Sequence, residues 1–326
     1  MQQWVVAVGV ILFLMKLLAY YLTQSVAVLT DALESTVNVI AGFIGLYSLH
    51  VAAKPRDEDH PYGHGKAEFL SAAVEGALVI MAGLIIIYEA IMNFIHPHTI
   101  QKLDKGIYLV AFTALVNFLL GAISIHRGRK NQSMALVAGG KHLQSDTYST
   151  AGIIVGLLLI WYTRLGWIDG AVSLLFAFII IYTGYHILRS SIAGIMDEAD
   201  LQLLQRMIAY LNARRRDNWI DLHNLRVIKY GGLLHVDCHL TMPWYLNVHE
   251  AHREIDALTS LIRTEFGEAM EFFVHSDGCL EFSCPICAKG DCPVRQHPFD
   301  QRIEWTMKNV VPNHKHRLGQ EVTEIG

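Results

Sequence analysis

Six apolar runs fill the first 190 residues of this chain, at roughly 3–22, 26–50, 67–95, 106–126, 134–163 and 168–190. A helix that crosses a bilayer needs about 20 mainly apolar residues, each rising about 1.5 Å. All six runs meet that length. The first is read as a span and not as a cleaved signal peptide, because it has no basic leader and Lys16 interrupts its apolar core. Charge content agrees, since 17% of the 326 residues are charged, against about 25% in soluble domains. The formal charge of −4 also argues against a nucleic-acid partner, which would demand a basic excess.

Sidedness follows from Lys and Arg near the span ends. The loop after the second run carries Lys54, Arg56 and Lys66, and the loop after the fourth carries Arg127, Arg129 and Lys130. The opposite side offers Lys102, Lys105 and Arg164. This distribution places both termini in the cytoplasm. Thiols there stay reduced, so the five Cys, all after residue 237, read as metal ligands or ordinary thiols and not as disulfides.

Beyond the sixth run the pattern changes. Residues 200–214 read as an amphipathic helix with Leu203, Leu204, Met207, Ile208 and Leu211 on one face. Strands follow near 222–230 and 233–242 around Gly231-Gly232, then a helix at 248–266 and a strand at 270–275. The expected architecture is an α-helical membrane protein. It has six transmembrane helices (residues 1–192), a small cytoplasmic α+β domain of order αββαβ (193–277) and a Cys-rich tail (278–326).

Ionisable groups at membrane depth are costly and mark function. The second run holds Asp31, Glu34 and Asn38, and the fifth holds His142 and Asp146. Glu34 and Asn38 are four apart, as are His142 and Asp146, so each pair shares a helix face. Two such faces turned together supply two carboxylates, an amide oxygen and an imidazole, a set suited to a divalent transition metal and to tetrahedral zinc. Asp31, nearer the helix start, reads as an extra ligand or as a residue on the way in. Lys16, Glu75 and Glu89 receive no role.

Three further clusters stand outside the spans. Asp57, His60 and His64 have spacings of three and four in one short loop and can chelate one ion. On the expected second strand His235, Asp237 and His239 alternate onto one face, while His249 and His252 share a helix face. Cys279, Cys284, Cys287 and Cys292 form C-x4-C-x2-C-x4-C, a spacing that can close around zinc, with redox sensing as the alternative. Cys238 should face the core, and His314 and His316 read as weak ligands or part of a disordered tail. No nucleophile–base arrangement, phosphate-cradling loop or zinc-protease motif is present, so the chain does not read as an enzyme.

The run from Ser25 to Asn38, the loop His60-Pro-Tyr-Gly-His64-Gly-Lys66 and His142-Leu-Gln-Ser-Asp146 together resemble the cation diffusion facilitator family, especially its bacterial zinc/proton antiporters. The resemblance covers about residues 1–277. It implies a transport site at Glu34, Asn38, His142 and Asp146, and a loop site at Asp57, His60 and His64. It also implies a cytoplasmic metal site at His239, His252, His275 and Asp277, which His235 and His249 would enlarge. An interlocking salt bridge between Lys66 and Asp197 and a homodimer paired through the cytoplasmic domains are implied as well. Many zinc members carry Asp or His and then Asp where this chain has Glu34 and Asn38. An oxygen-rich site of this kind also suits iron(II), manganese or cadmium.

The resulting expectation is a bacterial inner-membrane exporter of divalent metal, most simply zinc, driven by protons. Iron(II), manganese or cadmium is the alternative cargo, and a metal-regulated channel or a membrane metal sensor is the alternative class.

Overall fold

The computed structural model describes residues 2–96, 103–130, 134–230 and 233–319, and for 2–6, 103, 128–130 and 134–142 it describes the backbone alone. The chain forms two compact units, Met1–Val51 with Ala67–Ile192, and Ala52–Lys66 with Ala193–Gly326.

The first unit is helical: α1 (Gln2–Thr23), α2 (Val26–Ala52), α3 (Ala67–Ile95), α4 (Leu103–Lys130), α5 (Met134–Thr163) and α6 (Trp167–Ile195). Among the described residues, five helices are long and apolar enough to cross a membrane, namely α2 to α6, and the apolar stretch Ala7–Thr23 of α1 is shorter. Leu14, Phe43, Leu84, Phe112, Leu158 and Phe178 all point outward. Water would penalise such a belt of large apolar side chains, whereas hydrocarbon does not. Inside, Ala19, Ala27, Val28, Val110, Ile153 and Leu157 form the main core, with α1 against α4 and α4 against α5. Helices α3 and α6 meet at glycines. A Cβ on Gly76 would come within 2.8 Å of Leu188 N and 3.0 Å of Gly184 O, so the two backbones touch there.

Helix α2 begins with a cap supplied by another helix. Fully buried Asp169 of α6 accepts from Ser25 Oγ at 2.6 Å, Val26 N at 2.7 Å and Ala27 N at 3.2 Å. The two backbone N–H groups are orphan donors of a first turn, and the carboxylate also meets the positive end of the helix dipole.

The second unit contains α7 (Leu201–Ala213), β1 (Asp221–Tyr230), β2 (Leu233–Met242), α8 (Val248–Phe266) and β3 (Met270–Gly278). The sheet order is β1-β2-β3, with β1 antiparallel and β3 parallel to β2. The expected element order holds, and the last strand runs three residues further than the pattern suggested. The Gly231-Gly232 turn lies outside the described residues. Asp200 caps α7, and Asn247 with Glu250 forms a capping box on α8. Met207, Leu211, Leu222, Leu225, Leu240, Leu258 and Ile262 fill the core, and Cys238 joins them as expected.

The stretch after Gly278 is no loose extension. A 3-10 turn (Glu281–Ile286) and α9 (Met307–Val310) follow β3, and Trp305 and Val310 are buried in the core already described. Asn224 N donates to Pro312 O at 2.9 Å. The reading of His316 as part of a disordered tail is therefore corrected, because its ring is buried between Asp221 and Asn309 O. Burial opposes charge on His316, but the Asp221 carboxylate prevails and raises its pKa. Burial likewise works against charge on Asp221, yet hydrogen bonds from His223 and His316 hold it below the usual carboxylate range. His314 is exposed.

Candidate metal centres

Within the helical unit, α2 and α5 bring Glu34, Asn38 and Asp146 onto one cavity of about 170 Å³, also bordered by Ser145, Ser149 and Thr183. Asn38 Nδ2 donates to Asp146 Oδ2 at 2.9 Å, so the two helix faces meet as their spacing suggested. The side chain of His142 lies outside the described residues. Glu75 of α3 lines the same cavity. No role for it follows from the sequence, since nothing in the spacing of one helix shows which face meets a neighbour.

Asp31 sits one turn before Glu34 and does not border this cavity among the described residues. It pairs instead with Lys16 Nζ of α1 at 2.9 Å, both side chains almost fully buried. Thr150 Oγ1 lies 2.7 Å from the same carboxylate oxygen and 2.9 Å from Asp146 O. One hydroxyl thus links the ion pair to the turn of α5 that carries Asp146.

In the second unit, three ligand atoms come within 4.8 Å of one another at two places among the described residues. The first is the loop group of Asp57, His60 and His64. Gly63 turns the chain here with φ of +88°, donating its N–H to His60 O at 2.9 Å. Asp57 Oδ1 accepts from His60 N at 2.7 Å and lies 2.9 Å from His60 Nδ1, and His64 Nε2 is 3.4 Å from Asp57 Oδ2. The His60 ring hydrogen bond is the main reason Asp57 stays below the ordinary carboxylate pKa. Close by in sequence, Lys66 Nζ reaches Asp197 Oδ2 at 2.8 Å, Ile195 O at 3.3 Å and the Tyr230 ring at 4.7 Å. Asp197 takes a positive φ of 59°, a conformation Asp tolerates better than most residues.

The second group joins His223 of β1, His239 of β2 and Asp277 of β3. His223 and His239 are cross-strand partners, as are His239 and His275. A β-bulge between His223 and Arg226, with Asn224 at φ of +53°, re-aims the strand at this point. Asp277 Oδ2 lies 3.4 Å from His223 Nε2 and 3.7 Å from His239 Nδ1, while its other oxygen lies 3.8 Å from His275 Nε2. Burial first, then the neighbouring His223 and His275, lowers the His239 pKa and favours the neutral, ligating form.

Of the residues expected at this centre, His239 and Asp277 are brought together, and the ring of His275 stands 4.7 Å from that of His239. His252 is exposed on α8 and shares a shallow depression with Asp277. His235 and His249 are not brought to it. His235 is buried among Tyr62, Tyr230 and Phe273 with Glu271 at 3.2 Å, and His249 is exposed on α8. His223 was missed, because a bulge breaks the alternation that the other histidines obey.

The four tail cysteines line one cavity of about 410 Å³.

Family comparison agrees with this layout. The profile of the cation efflux transmembrane domain matches residues 4–196, and that of the cation efflux protein cytoplasmic domain matches 203–279. The uncharacterized transporter sll1263 of Synechocystis is 32% identical over 248 residues, 76% of this chain and 80% of that protein. The cation-efflux pump FieF of Pectobacterium atrosepticum is 28% identical over 83% of this chain and 89% of its own. The manganese efflux system protein MneP of Bacillus subtilis is 26% identical over 79% and 88%. Such proteins move ions and are not enzymes. With its transmembrane and cytoplasmic parts both matched, the chain belongs to the cation diffusion facilitator family of membrane cation efflux transporters.

Proposed function

We propose that this protein exports a divalent metal ion from the cytoplasm in exchange for protons, with zinc as its cargo. The observation that carries the reading is the meeting of Glu34 and Asn38 of α2 with Asp146 of α5 on one cavity inside the helical unit. His142, four residues before Asp146 on α5, completes a set of three oxygen ligands and one imidazole. In this reading α1 is the sixth span, both termini face the cytoplasm, and the protein works as a homodimer in a bacterial inner membrane.

Exchange follows from competition. A metal ion needs ionised carboxylates and neutral imidazole, so protons and metal displace each other from one site. His142 is the natural proton carrier because an unperturbed imidazole titrates near neutrality. A charge entering down the membrane potential supplies about 2.3 kcal/mol per 100 mV. The loop group and the His223–His239–Asp277 group serve as cytoplasmic sites, the latter strengthening the dimer when metal is plentiful. The Lys66–Asp197 pair acts as the interlock.

Manganese or iron(II) is the second reading for the cargo. The Glu34 and Asn38 pair favours it by supplying harder oxygen donors, and a relative bears the name of a manganese efflux system. The test is metal uptake into reconstituted vesicles under an imposed pH gradient, comparing zinc, manganese, iron(II) and cadmium. Gradient-dependent zinc flux that disappears in Asp146→Ala supports the proposal. A preference for manganese or iron(II) moves the cargo and keeps the mechanism, and flux without a gradient overturns exchange in favour of a channel.

A further inference from the structure

The C-terminal cysteines have no part in that transport scheme, yet the fold collects them. Cys279 follows β3 directly, and its N–H donates to Met242 O at 2.8 Å, which pins it to the end of β2. Cys284 and Cys287 close a turn in which Cys287 N donates to Cys284 O at 3.2 Å. Cys292 comes back to the same cavity. None of the four is in a disulfide.

The surroundings are built for an anionic centre. Arg295 donates to Cys284 O and Cys287 O at 3.0 Å each and to Lys289 O at 2.7 Å, so one guanidinium holds the whole loop. Arg215 is half-buried beside the Trp305 ring, and its described hydrogen-bond partners are the carbonyls of Trp219, Ile220 and Ile303. Burial, then the neighbouring Arg302, lowers its pKa to about 10, whereas the Asp221 carboxylate and, after it, Cys287 act in the opposite sense. The Tyr245 hydroxyl is shut off from solvent and neighbours Cys292, with no well-formed hydrogen bond among the described residues. It is a donor waiting for an acceptor, and a thiolate is one. The loop itself has little other core: among the described residues Ile286 and Cys287 pack into a small cluster with Ile220, Cys279, Ile303 and Leu318.

We propose that Cys279, Cys284, Cys287 and Cys292 bind one zinc ion as a structural tetrathiolate site, separate from the cargo path, that fastens the C-terminal segment to the sheet. Soft thiolates select zinc over the harder divalent ions that an oxygen-rich site accepts. On binding, four S–H bonds are lost to form four Zn–S bonds, and the protons pass to solvent. No electron is transferred. The resulting centre carries two negative charges, which Arg295 and Arg215 offset, and Tyr245 donates to Cys292 Sγ as a second-shell partner. The sulfurs stand around the cavity more loosely than the atoms of the two three-ligand groups, so binding also draws the loop inward. The site lies two residues past Asp277, and its formation tightens the strand end that carries this carboxylate.

The test uses the full-length protein in detergent, washed with a chelator that strips weakly held metal. Three quantities are read: zinc per chain, the thiolate-to-metal charge-transfer band after exchange with cobalt, and the rate of thiol alkylation with and without zinc. The proposal expects about one tightly held zinc per chain, a charge-transfer band, and alkylation suppressed by zinc. Cys284→Ser with Cys287→Ser should lose that zinc and the band, and should expose the 279–319 segment to limited proteolysis. Should the double variant fail to fold, alkylation of the parent with and without zinc decides. Equal rates, or an absent band, overturn the site. Thiols recovered in pairs only after a reductant, without bound metal, overturn it in favour of a redox pair.

Discussion

Replacing Lys16 by Met removes one half of an ion pair in which both side chains are almost fully buried and the charged atoms are 2.9 Å apart. The aliphatic part of Met fills most of the same space, so packing changes little and the loss is electrostatic. What remains is a buried Asp31 with the Thr150 hydroxyl on Oδ1 and, among the described residues, no hydrogen-bond partner on Oδ2. Breaking a buried pair from one side costs about 3–5 kcal/mol, because an uncompensated charge is left behind. The surviving Thr150 contact, worth about 1 kcal/mol, offsets part of this. The expected loss for Lys16→Met is therefore about 3 kcal/mol. Removing both charges, as Lys16→Met with Asp31→Leu, leaves no orphan and should cost only about 1 kcal/mol. The signature is thus strong non-additivity, read as a double-mutant cycle from reversible unfolding of the detergent-solubilised protein. Transport in vesicles is measured alongside, since Thr150 connects the pair to the turn of Asp146. If Lys16→Met alone costs less than about 1 kcal/mol, or the two changes simply add, the buried-pair argument is wrong.

Three further outcomes are expected. Asp200→Ala should lower stability by about 1 kcal/mol through loss of the α7 cap, whereas Asp200→Asn keeps the cap and loses only the largely exposed pair with Lys229. The hydrogen bond from Lys229 lowers the Asp200 pKa, so this contribution is present above the unfolded value and fades as pH falls through the folded one, which chemical unfolding at pH 7 and at about pH 3 can check. Trp305→Ala should cost about 3–5 kcal/mol by leaving a cavity in the core shared with α7 and the sheet, measured by the same unfolding assay on the full chain. His223→Ala should weaken metal binding to the cytoplasmic group by about 10-fold or more while leaving the Asp57–His60–His64 loop unaffected, as titration calorimetry would reveal; unchanged affinity would remove His223 from the ligand set.

Much of this architecture was legible because it rests on local periodicity. The helices α2 to α6, the capped α8 and the inward Cys238 follow from spacing along one element. The matched i, i+4 pairs likewise pointed α2 and α5 at each other, and Asn38 and Asp146 do meet. What escaped depends on partners distant in the chain. His223 owes its place to a bulge and to Asp277 on another strand. His235 obeys the same alternation as His239 yet is enclosed by Tyr62, Tyr230 and Phe273, because neighbouring elements decide what a strand face meets. His316 looked like tail, and its burial rests on Asp221, 95 residues away. Lys16 has no assignable role until it is paired with Asp31, whose carboxylate Thr150 also holds.

The Asp169 cap makes the start of α2 a fixed hinge. Three hydrogen bonds to one carboxylate of α6 hold residues 25–27 in place, so any rocking of α2 has its fulcrum there. At about 1.5 Å per residue, Glu34 lies about 12 Å and Asn38 about 18 Å along the lever. A swing of about 10° then carries Asn38 through about 3 Å, enough to part it from Asp146, while Glu34 moves by only about two-thirds as much. Glu34 and Asn38, the two ligands proposed on this helix, are therefore geared differently. In the transport site proposed above, such a rotation would open the Asn38 side before the Glu34 side and so favour release of the ion from that side.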